Sequence, residues 1–153
     1  MHAFHDLKKQ AWTVEIDIPT ASKISAATGL NCYAMLTAES LKRIGDELHT
    51  LVDLIWLTCE AQAAKHGLTF EQFFAADRMD AATIEAALDA ILDEAADILP
   101  PQKKTNAKKL LAHYRRIGEK ALTMAENQIN AIDWQTIENT ITQALTTSTL
   151  PPG

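Results

Sequence analysis

Residues 80–101 read Asp80-Ala81-Ala82-Thr83-Ile84-Glu85-Ala86-Ala87-Leu88-Asp89-Ala90-Ile91-Leu92-Asp93-Glu94-Ala95-Ala96-Asp97-Ile98-Leu99-Pro100-Pro101. Ile84, Leu88, Ile91, Ala95 and Ile98 step by four, three, four and three, which lays a heptad seam along a helix. Asp80 has the acceptor side chain of a helix N-cap, and Pro100-Pro101 cannot continue the helix. From about Gln102 the same spacing returns in Leu110, Tyr114, Ile117, Ala121 and Met124. The expected architecture is mainly α, with these two helices forming a long C-terminal antiparallel hairpin, seam against seam. An Asp at Ile91 or at Ile117 is then expected to collapse it by burying an unpaired charge. Asp133 is positioned to cap a last helix carrying Trp134, Ile137, Ile141 and Leu145, and residues 147–153 read as a flexible polar tail.

Toward the N-terminus, Trp12, Val14, Ile16 and Ile18 alternate with Thr13, Glu15 and Asp17, the period of a strand with one buried face. Its backbone donors need a partner, and Ala3 to His5 supplies one, so residues of about 2–18 form a short β-hairpin that Pro19 stops. Thr20 then caps a helix over 21–28, ended by Gly29 in the left-handed conformation, and Asn31 to Leu36 is irregular. Leu41, Ile44 and Leu48 mark the inward face of the next helix. Residues 50–66 follow, so apolar from Leu51 to Cys59 that this helix must be contacted on most sides. Gly67 ends it. Thr69 and Gln72 have the spacing of a capping box for a short helix bearing Phe70, Phe73 and Phe74. No linker or repeat interrupts residues 1–146, which read as a single domain.

Composition narrows the function. The 153 residues carry 14 Lys and Arg against 20 Asp and Glu, a net charge of −6 that gives no general attraction to phosphate backbones. No apolar run approaches the roughly 20 residues needed to span a bilayer, and the N-terminus lacks the pattern of an export signal; a cytoplasmic protein is expected. Cys32 and Cys59 lack a CxxC spacing, and Cys59 sits beside Glu60 among apolar residues, a setting that raises a thiol pKa. No two of the five histidines stand four apart, and the five glycines are scattered, so neither a metal-binding helix nor a phosphate loop is present in the pattern. No catalytic, cofactor or metal residue is assigned.

The charge that remains is organised. Glu85, Asp89, Asp93 and Asp97 form a four-residue ladder opposite the Ile84 seam. Like charges at that spacing repel by tenths of a kcal/mol per pair, which is tolerated in water or answered by a cationic partner. Lys103, Lys104, Lys108, Lys109, Arg115, Arg116 and Lys120 lie opposite the Leu110 seam, and residues 102–126 carry seven positive against two negative charges. The candidate partner-binding residues are therefore Glu85, Asp89, Asp93 and Asp97 on one helix and Lys104, Lys108, Arg115 and Arg116 on the other. Acidic and basic faces of this kind can also pair between copies, giving a homo-oligomer sensitive to salt. The basic stretch lacks interleaved aromatic residues for stacking on bases, so nucleic acid is a weaker alternative.

Phe4-x-Asp6, Trp12-x-Val14-x-Ile16-x-Ile18, Thr28-Gly29-Leu30, the run from Leu51 to Ala63, Gly67-Leu68-Thr69-x-Glu71-Gln72-Phe73 and Leu99-Pro100-Pro101 follow one another over about residues 1–125. In that order they resemble small phage tail assembly chaperones and related prophage proteins. The resemblance rests on packing and capping signals, and it does not extend to the Trp134 helix or the tail. It implies a non-enzymatic protein that binds the long helical tape measure protein in the bacterial host cytoplasm during tail assembly. The alternatives are a structural or adaptor subunit held permanently in a phage-like particle, and a nucleic-acid-binding regulator using the basic helix over 102–120.

Overall fold

A turn organised by one carboxylate begins the chain in the computed structural model, which describes residues 2–131 and 134–148. Strand β1 (His2–His5) pairs antiparallel with β2 (Ala11–Val14) in the register His2 with Val14 and His5 with Ala11. Between them the Asp6 Oδ1 accepts from the amides of Lys8 and Gln10, each at 2.9 Å. Lys9 is left-handed at φ 63°, a conformation that side chains resist and that the surrounding bonds hold.

Pairing stops at Val14, earlier than the alternation of apolar residues suggested. Trp12, Val14 and Ile16 are all buried as expected, but Ile18 is exposed. It opens helix α1 (Ile18–Thr28) instead of closing the strand. Asp17, not Thr20, is the N-cap, accepting from the Thr20 amide at 2.8 Å. Pro19 sits in the first turn, where no amide hydrogen is needed, so it starts the helix where the sequence reading made it end the strand. Gly29 at φ 74° terminates α1 as expected. A 3-10 turn, Cys32–Ala34, capped by Asn31, leads to helix α2 (Ala38–Asp46), capped by Thr37.

Glu47 breaks α2 from α3 (Leu48–Lys65) by adopting extended geometry, φ −111° and ψ 99°. Leu48 therefore starts α3 and is exposed, not the last inward residue of α2. Helix α3 is central: it packs against α1, α2, β2, the short α4 (Phe70–Phe73) and α5 (Ala81–Asp97), with Leu54, Ile55, Cys59 and Ala63 buried. The Thr69–Gln72 capping box forms as expected. Phe73 lies edge-on to Trp12 at 4.8 Å and to Trp56 at 5.6 Å, joining sheet and helices in one aromatic cluster.

Asp80 caps α5, accepting from the Thr83 amide at 2.8 Å. Its buried face is wider than the heptad seam and includes Ala87, Ala90, Ile91, Leu92, Ala95 and Ala96. That face packs on β1, β2 and α3. The small alanines off the seam let the sheet approach closely, which is why α5 is buried there and not principally against the next helix. Helix α6 (Pro101–Ala131) starts at Pro101 and buries Ala107 and Leu111. Of the expected second seam, Leu110 is half-buried, whereas Tyr114, Ile117 and Met124 are exposed.

The mainly α class with a short N-terminal hairpin is present. The chain divides into two compact units, Met1–His113 and Tyr114–Gly153, where the sequence suggested one domain through residue 146. The second unit contains the end of α6 and helix α7 (Trp134–Ser148). The expected cap Asp133 and residues 149–153 of the expected tail lie outside the described residues, as do the side chains of Trp134, Ile137 and Leu145. No helix among the described residues is long and apolar enough to cross a membrane.

Candidate functional site

The acidic ladder is not uniform. Glu85 and Asp89 are exposed, whereas Asp93 and Asp97 are half-buried toward the end of α5. Asp97 is where the two charged helices meet. Its Oδ1 lies 3.3 Å from Lys104 Nζ and 3.1 Å from Lys108 Nζ, and its Oδ2 lies 2.6 Å from Nε2 of His2 at the start of β1. The bonds to His2 and then Lys108, with Lys104 adding to them against the opposing effect of burial, hold the Asp97 carboxyl well below the usual carboxylate range. Three of the eight candidate partner-binding residues, Asp97, Lys104 and Lys108, thus come together within one chain. The pairing of acidic with basic face that the sequence allowed between copies is made here internally, at this end of the ladder.

Nothing in the sequence pointed to His2 as the third member, because 95 residues separate it from Asp97. Glu94 is also there, buried on the inward face of α5, with Oε2 4.0 Å from His2 Nε2. The donor atoms of His2, Glu94 and Asp97 lie within 4.8 Å of one another, so these are the described residues that can converge on a cation. Two lysine ammonium groups already neutralise Asp97 in that space, and the arrangement works as an ion-pair knot tying β1, α5 and the start of α6.

The remaining candidates separate. Arg115 is half-buried and Arg116 is exposed on α6 in the second unit, with Lys103, Lys109 and Lys120 also exposed along that helix. A small groove of about 330 Å³, lined by Tyr33, Leu36, Leu99, Lys103, Ala107 and Leu110 among others, lies beside the start of α6.

A second knot was not foreseen. Asp6 is buried, and its Oδ2 accepts from Trp12 Nε1 at 2.9 Å and from Arg78 Nη1 at 2.6 Å. Burial alone pushes this carboxyl up; the hydrogen bonds from Trp12 and Arg78, with that of the Gln10 amide and the Arg78 charge, outweigh it and hold the group below its ordinary value. The group is acceptor-saturated and faces the hairpin turn, so its chemistry is structural.

Cys32 and Cys59 are both buried, and burial pushes each thiol up to about 11. Relative to an ordinary value of 9.0, that lowers the thiolate fraction at neutral pH by ~100-fold. Alkylation with iodoacetamide at pH 8 is expected to be at least that much slower in the native protein than in denaturant; equal rates would show that the thiols are accessible.

Comparison of the chain with protein-family models, with curated proteins and with solved structures finds no match.

Proposed function

We propose that this chain is a non-enzymatic, protein-binding assembly factor of the phage tail chaperone type, which covers amphipathic helices of a tape measure protein in the host cytoplasm. The observation that carries the reading is the exposure of the second unit's apolar residues. Tyr114, Ile117, Met124 and Ile141 are 39%, 52%, 62% and 55% exposed, and these are all the large apolar side chains described there. The first unit, by contrast, closes a core around α3. Apolar residues at helical spacing left open to water are what a helix-binding surface requires. The basic residues Arg116 and Lys120 beside them suit a partner helix that carries acidic residues between its apolar positions.

The resemblance in order of packing and capping motifs supports the same class. A permanent structural subunit of a phage-like particle shares every one of these features and is the second reading. A nucleic-acid regulator is disfavoured, because Lys104 and Lys108 are turned to Asp97 and the overall charge is −6.

Co-expression with the product of an adjacent long, helix-rich reading frame distinguishes the readings. The expected result is co-purification of the two proteins and absence of this chain from finished particles. Its presence at fixed stoichiometry in purified particles would establish the structural-subunit reading, and steeply salt-dependent binding to DNA or RNA without co-purification would establish the regulator.

A further inference from the structure

The acidic ladder is neutralised within the chain at one end. Asp97 pairs with Lys104 and Lys108, but Glu85 and Asp89, toward the other end of α5, are exposed together with Ala82 and Ala86. These four stand at three- and four-residue steps and share one outward face of the helix, two acids beside two small apolar residues. In the second unit, α6 presents the converse: Tyr114 and Ile117, both exposed, lie beside Arg116 and Lys120, also exposed. Glu119, two residues from Ile117, falls on the opposite side of the helix from it, so no acid stands between the apolar and basic residues.

The two faces match in spacing as well as in sign. Glu85 and Asp89 are four residues apart, and so are Arg116 and Lys120, which sets the charges of each pair about 6 Å apart along the helix axis. Like charges at that spacing repel, and an opposite pair laid against them relieves both helices. Ala82 and Ala86 leave room where Tyr114 and Ile117 are bulky, so the helices can approach closely as the charges meet. Two second units placed face to face would instead set Arg116 and Lys120 against their own copies, which disfavours symmetric pairing.

We propose that the second unit's exposed face, when no other partner holds it, is covered by a second copy of this chain, whose Glu85–Asp89 face of α5 docks on Tyr114, Ile117, Arg116 and Lys120. The contact joins two different surfaces, so it is head to tail and leaves one face of each kind open at the ends of a row of copies. Two helix turns on each side bury far less than the about 1,200–2,000 Å² of a stable complex, so association is reversible and rises with concentration. A foreign helix with acids between its apolar residues competes for the same face. Self-association does not depend on the tape measure reading, and its absence would leave capture of a foreign partner a separate measurement.

Sedimentation equilibrium of the full chain tests this. The average mass of the parent is expected to rise past that of a dimer between about 10 μM and about 1 mM, and to return to the monomer in about 1 M salt, where charges act over only about 3 Å. Glu85→Lys/Ala86→Lys removes the acidic face and Arg116→Glu/Lys120→Glu the basic one; all four positions are exposed, and a urea midpoint equal to the parent's qualifies each variant. Each variant alone is expected to stay monomeric, while their mixture forms pairs and nothing larger, because each retains the face the other lacks. A parent that is monomeric at about 1 mM or equally associated at high salt, a variant that associates like the parent, or a mixture without pairs would overturn the proposal. The salt and concentration dependence of the parent decides the question even where a variant fails to fold.

Discussion

Ile91→Asp is expected to unfold the first unit, whereas Ile117→Asp is expected to leave its stability nearly unchanged. Ile91 is completely buried on the face of α5 that meets the sheet and α3. A carboxylate there has no partner, and the cost of several kcal/mol is comparable with the ~5–15 kcal/mol that holds a whole domain together. Ile117 is about half exposed in the second unit, so an Asp at that position stays hydrated and changes stability by about 0.5 kcal/mol or less. Urea unfolding followed by tryptophan fluorescence separates the two, since Trp12 and Trp56 both belong to the aromatic cluster of the first unit. Equal destabilisation by both substitutions would show that Ile117 is buried in the folded protein.

The second large effect is at Asp6. Asp6→Ala removes the acceptor for Trp12, Arg78 and two turn amides at once, and leaves the Arg78 guanidinium, itself mostly buried, without its ion pair. Breaking a buried pair from one side costs about 3–5 kcal/mol. The pH dependence has a definite sign. The folded-state pKa of Asp6 is depressed, so its contribution is fully present above the ordinary carboxylate value of ~3.9 and fades as the pH falls through the lower folded value. The stability gap between the parent and Asp6→Ala is therefore expected to be widest at pH 7 and to narrow below about pH 4. Denaturant titrations at pH 7 and pH 3 measure it; a gap that widens on acidification contradicts the ionised, hydrogen-bonded state.

What could be read from the sequence was local. Asp80, Thr69 with Gln72, and Gly29 announce helix ends because a cap needs only its own turn. The alternation from Trp12 to Ile16 announces the strand because each residue's face is set by its neighbours. The start of α1 was misplaced because Thr20 and Asp17 are both good caps, and only Asp17 lets Pro19 occupy the first turn. The buried face of α5 is wider than the seam for a different reason. A heptad pattern counts Ala87, Ala90 and Ala96 as neutral spacers, yet those positions bring α5 against the hairpin.

The candidate site was legible only as charge. The acidic and basic helices were visible, but what they touch depends on contacts across long stretches of chain. Asp97 meets His2 across 95 residues, Arg78 meets Asp6 across 72, and Gln62 reaches Thr13 across 49. No spacing rule encodes such pairs, so both knots and the Gln62 contact emerged only with the fold.

The central claim is that the exposed residues of the second unit hold a partner helix while the first unit folds on its own core. The most direct measurement is capture of the co-expressed tape-measure-like protein by a Tyr114→Ser/Ile117→Ser variant whose urea midpoint for the first unit equals the parent's. Capture is expected to weaken by at least about tenfold, the loss that follows from removing two central apolar anchors. Undiminished capture by that variant would contradict the claim.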